Sequence, residues 1–68
     1  MSGTLYTYRY RHPAYPGVDQ TVDCWSLCAP RALRAAQRFI RRENTRLRRA
    51  GIKTRVRMPR TVYDLRWL

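Results

Sequence analysis

Negative charge is what this chain has least of. Four acids (Asp19, Asp23, Glu43 and Asp64) face fifteen lysines and arginines in 68 residues, for a net charge of +11. Surface ion pairs cannot neutralise such an excess, and the resulting self-repulsion works against a compact fold unless an anionic partner relieves it. Lysine is nearly missing as well, Lys53 being the only one. The cations are therefore guanidinium groups, which meet phosphate or carboxylate through paired donors and stack on bases and aromatic rings.

Other scarcities narrow the function classes. Cysteine is limited to Cys24 and Cys28, too few and too close for a disulfide scaffold. With His12, the single histidine, they make three potential ligands at no recognised spacing, one short of a structural zinc site. They read as free thiols, and no metal or cofactor is expected. No apolar run approaches the roughly 18–20 residues that span a bilayer, and mean hydropathy is -0.67. The N-terminal MSGTLYTYRYR has no apolar signal core. A cytoplasmic protein without a membrane role is expected. A glycine-rich phosphate loop, a nucleophile elbow and paired catalytic acids are all missing, so the expected protein is not an enzyme.

What is present centres on Pro30–Ala50, PRALRAAQRFIRRENTRLRRA. At about 100° per residue, Ala29, Ala32, Leu33, Ala36, Phe39, Ile40, Leu47 and Ala50 share roughly a third of the circumference. Arg31, Arg34, Arg38, Arg41, Arg42, Arg48 and Arg49 take the opposite side, with Arg46 near the border. The spacing predicts one amphipathic helix with a cationic back. Ser26 is a good N-cap, or Ala29 caps with Pro30 at the first helical position; Gly51 supplies the stop. Glu43 interrupts the apolar stripe, and pairing with an arginine at its rim is favoured over a bend in the helix.

The flanks read as strands. Leu5–His12 alternates, with Tyr6, Tyr8 and Tyr10 on one side. The next residues, HPAYPG, carry turn chemistry, and Val18–Trp25 alternates again. Folding this hairpin about Tyr15 sets Arg11 opposite Asp19, Thr7 opposite Asp23, Tyr8 opposite Val22 and Tyr6 opposite Cys24. Opposite charges then meet on one face and aromatic–aliphatic pairs on the other. Ile52–Met58 alternates a third time, ending at Pro59, and the apolar tail Arg60–Leu68 is a candidate fourth strand. The expectation is an α+β fold comprising residues 1–68 as one small domain. A small antiparallel sheet (three or four strands, β-β-α-β-β, order 2-1-3-4) carries the helix across one face, built on Tyr6, Tyr8, Val22, Ile52 and Val56. A chain this short buries only about 60% of its unfolded surface, and a homodimer or a bound partner is one way to complete its core.

The expected chemistry is anion binding. The helix arginines form a stripe about 30 Å long that matches a phosphate backbone. Lys53, Arg55 and Arg57 add a second patch on the open sheet face, where Asp19 and Asp23 offset Arg9 and Arg11. A merely solvated helix face normally mixes its signs, and this one is almost purely positive. The partner is nucleic acid or a nucleoprotein complex; the alternative is an acidic protein surface. Tyr6, Tyr8 and Tyr10 are assigned to core and rim rather than to base stacking.

A hairpin followed by a V-x-C-x-S-L helix start (Val22, Cys24, Ser26, Leu27) and a further strand resembles small phage-encoded β-β-α-β proteins, among them some anti-CRISPR inhibitors of type I effector complexes. The resemblance implies a non-enzymatic inhibitor that docks on a nucleoprotein complex or a Cas subunit. With +11 charges the chain departs from the acidic, DNA-mimicking members of that group, and it would grip nucleic acid or acidic protein instead.

Overall fold

A computed structural model describes residues 3–67; Leu68 and the side chain of Trp67, both counted in the apolar tail, lie outside the described residues. The order is β1 (Thr4–Arg11), β2 (Asp19–Ser26), α1 (Ala29–Arg49), β3 (Tyr63–Asp64) and a 3-10 turn of helix, Leu65–Trp67. The three strands form an antiparallel sheet in the order β2-β1-β3, and α1 packs on it to give a small α+β fold.

The hairpin has the expected register. Tyr6 pairs with Cys24, Thr7 with Asp23, Tyr8 with Val22 and Arg11 with Asp19, and the last pair is closed by an ion pair of 3.2 Å. Gly17 at φ +81 occupies the left-handed position that ends the connection, which a β-carbon would strain. Inside the turn, the Tyr15 N–H donates to the His12 carbonyl at 3.0 Å.

Cys28 is the N-cap of α1 and makes no side-chain cap bond; Pro30 follows in the first turn. Ser26 does not cap the helix. It is the last residue of β2, and its hydroxyl donates to the Cys28 carbonyl at 3.0 Å. The C-terminus is closed by backbone alone. Gly51 adopts φ +79, its N–H donates to the Arg48 carbonyl, and the Ile52 N–H reaches the Leu47 carbonyl at 2.9 Å, the paired bonds of a Schellman stop.

Two expectations are corrected after the helix. Ile52–Met58 is not a strand, and one two-residue strand, not two strands, follows α1 among the described residues. Residues 52–62 run beside the helix, with backbone groups of Val56, Arg57 and Pro59 held by side chains. The Asn44 amide donates to the Val56 carbonyl at 3.0 Å and accepts from the Val56 N–H at 2.7 Å. Gln37 donates to the Pro59 carbonyl at 3.2 Å, and the Tyr8 hydroxyl to the Arg57 carbonyl at 2.7 Å. A backbone bonded in this way has no need of a sheet partner. The position beside β1 goes instead to β3, which pairs Asp64 with Tyr6 and Tyr63 with Thr7; the chain then turns away, with Asp64 accepting from the Arg66 N–H and guanidinium.

The core follows from this routing. Ala32, Ala36, Ile40 and Leu47 are buried on α1, Val56 and Pro59 close the other side, and Tyr8 and Tyr10 pack against Ile40, Leu47 and Val56. The alanines let the helix approach closely. Ile52 does not join the core; it is 37% exposed, and Phe39 of the helix stripe is at the rim. Glu43 forms an ion pair with Arg46 at 3.2 Å and meets His12 Nε2 at 3.3 Å, so the interruption of the stripe is resolved by pairing, within one unbroken helix. His12 Nδ1 accepts from the Ala14 N–H at 3.1 Å, which puts the neutral ring's proton on Nε2, facing Glu43. No described helix is long and apolar enough to cross a membrane.

Candidate functional site

The apolar stripe of α1 faces the core, which leaves the arginines no direction but outward. Arg31, Arg34, Arg38, Arg41, Arg42, Arg46, Arg48 and Arg49 are all exposed. Arg38, Arg41, Arg42, Arg46 and Arg49, with Thr45, line a shallow groove of about 420 Å³ along the helix. The Thr45 hydroxyl donates back to the Arg41 carbonyl at 3.0 Å, so the groove presents guanidinium donors almost exclusively.

Three of the four acids are held in ion pairs. Asp19 pairs with Arg11, Glu43 with His12 and Arg46, and Asp64 with Arg66 at 2.7 Å. Arg46, at the border of the stripe, is thus the one helix arginine with an ion pair among the described residues. Arg31, Arg34, Arg38, Arg41, Arg42, Arg48 and Arg49 have none. Arg48 and Arg49 lie in the last turn, where cations suit the helix dipole; Arg31 and Arg34 near the start work against it.

Lys53, Arg55 and Arg57 are exposed, in a segment that is not a strand of the sheet. Because residues 52–62 run beside the helix, Arg55 and Arg57 border a cleft at the edge of β1, shared with Tyr8, Arg9, Tyr10 and Arg11 and holding about 420 Å³. The offset expected from the acids is half met. Asp19 holds Arg11, whereas Asp23 and Arg9 form no ion pair among the described residues.

The reactive groups are quiet. Burial pushes the Tyr8 and Tyr10 hydroxyls above the usual phenol value, with Glu43 adding to the effect at Tyr10. The two rings stack with centroids 6.0 Å apart as part of the core wall. Burial and the neighbouring Asp23 push the Cys24 thiol up, away from the thiolate that reactivity needs. Cys24 and Cys28 are free. The Arg66 guanidinium holds the Asp64 carboxyl below its ordinary value.

The outer face of the sheet, away from α1, carries groups that the periodicity did not flag. Thr7 is buried there, and Trp25 and Tyr63 are exposed. No family model, curated protein or solved structure matches this chain.

Proposed function

We propose that this protein is a non-enzymatic, strongly basic binding module that engages nucleic acid, alone or within a nucleoprotein complex, through the arginine face of α1. The observation that carries the reading is the row of seven exposed helix arginines without an ion pair among the described residues. Each guanidinium that meets a phosphate releases condensed counterions, so affinity comes chiefly from the backbone and is largely indifferent to sequence. The groove along Arg38, Arg41, Arg42, Arg46 and Arg49 follows one side of the helix for three turns and is the central contact.

The test is titration of labelled duplex and single-stranded oligonucleotides by fluorescence anisotropy across a salt series. On duplex DNA the logarithm of affinity falls against the logarithm of salt with a slope of about -0.9 per phosphate contacted. Four to six contacts by the helix face give roughly -4 to -5. Binding that is flat in salt overturns the reading. A host partner that stays bound after nuclease treatment overturns it in favour of an acidic protein surface.

A further inference from the structure

On the outer face of the sheet, Thr7 lies opposite Asp23 on one side and Tyr63 on the other, and the next pair along is Arg9 with Thr21. Cross-paired residues point to the same face, so these side chains stand together. With Leu65 from the 3-10 turn they line a cleft of about 390 Å³.

Three features of this cleft are unexplained by folding. Thr7 is 6% exposed, and its Oγ1 has no hydrogen-bond partner among the described residues; buried hydroxyls are normally satisfied. Asp23 is exposed and is the one acid of the four with no ion pair among the described residues, in a chain of net charge +11. Trp25, two residues from Asp23 on the same face, is 70% exposed, and Tyr63 is 55% exposed. Asp23, Thr7 and the Tyr63 ring thus meet in the cleft lining, with Trp25 further along the same sheet face.

We infer that this cleft is a second site, one that reads a single unpaired guanine base in a single-stranded nucleic acid. The inference rests on the nucleic-acid reading above and adds to it a base preference that the helix face does not supply. A carboxylate offers only acceptors, and the Watson–Crick edge of guanine answers it with adjacent ring N–H and amino donors. Adenine and cytosine set a ring acceptor beside their amino group, and uracil flanks its one N–H with carbonyls, so each meets the carboxylate less well. Guanine O6 and N7 then accept from Arg9, guanine being the commonest base partner of arginine. Tyr63 and Trp25 supply stacking surface. In a duplex the same edge is already paired, so the site selects single strands. A neighbouring cleft of about 610 Å³ shares Arg9 and Tyr63 and adds Arg57 and Arg60, giving the strand's phosphates a cationic track off the helix.

The experiment compares three single-stranded RNA oligomers by anisotropy: all uridine, uridine with one central guanosine, and the same with inosine, which lacks the 2-amino group. The guanosine oligomer binds roughly tenfold tighter than the uridine one. The inosine substitution and Asp23→Asn each lower that ratio severalfold, while salt-dependent binding to the uridine oligomer persists. A triple Arg38→Ala, Arg41→Ala, Arg42→Ala variant weakens every oligomer but keeps the ratio. Equal affinity of the wild type for all three oligomers overturns the guanine site and leaves the nucleic-acid reading standing. A preference undiminished by Asp23→Asn or by inosine overturns the site as assigned, and no salt-dependent binding to any oligomer overturns both.

Discussion

Both polar groups of the Asn44 amide are spent on the backbone of Val56, itself 2% exposed. Replacing the amide leaves a buried N–H and a buried C=O unpaired, at about 1–3 kcal/mol each. Asn44→Ala should therefore cost about 2–4 kcal/mol and lower Tm by on the order of 10–20 °C, read by thermal circular dichroism. A shift within a degree or two would mean that residues 52–62 are held by something else. Asn44→Asp, which keeps the acceptor and loses the donor, should fall between. The same scale explains what sequence reasoning missed. A polar residue in mid-helix reads as solvent-facing, and nothing in ENT at positions 43–45 says that the asparagine faces inward while Glu43 reaches His12.

For the elements, legibility depended on whether the pattern carried pairing information. The β1–β2 register was readable because it satisfies two constraints at once, Arg11 with Asp19 and Tyr8 with Val22. The alternation of Ile52–Met58 puts Ile52, Thr54, Val56 and Met58 on one side, but only Val56 is buried, and the pattern says nothing about what the backbone bonds to. Val56 does face inward; its partner is an amide on α1 rather than a strand. β3 lies within the tail Arg60–Leu68 that reads as a candidate strand, but only Tyr63 and Asp64 of it pair, too few to show a period. The arginine face was legible residue by residue because a helix wheel needs no tertiary information. The outer cleft was not, since Thr7 is enclosed only when the tail returns beside β1. The helix stop makes a direct test. Gly51 at φ +79 meets nothing where a β-carbon would stand, so Gly51→Ala introduces backbone strain alone. It should cost about 1–2 kcal/mol, seen as a lowered urea midpoint with an unchanged slope; no change would mean that the left-handed stop is relaxed in solution.

Across the whole molecule, the titrating groups set stability against pH. Tyr8, Tyr10 and Cys24 are acids whose folded values lie above their ordinary ones. Their contribution is fully present below the unfolded thiol and phenol values, roughly 8.5 and 10, and is lost as pH rises through the folded values. Asp64 is the reverse, depressed by Arg66; its contribution is present above roughly pH 4 and lost as pH falls through the folded value. The urea midpoint should drop as pH is raised from 8 to 11, and Tyr10→Phe should flatten that limb. A midpoint unchanged to pH 11 would contradict the burial of these hydroxyls.

Charge is also the property of the whole molecule on which the proposed function turns. Four acids are placed, three of them in ion pairs, and the helix arginines are left facing solvent as a row. The most direct test measures the salt dependence of duplex binding for the wild type and for the Arg38→Ala, Arg41→Ala, Arg42→Ala variant. Loss of three phosphate contacts should make the slope shallower by roughly 2.7 while circular dichroism and Tm stay those of the folded chain. Identical slopes for the two proteins would contradict the assignment of this face as the binding surface.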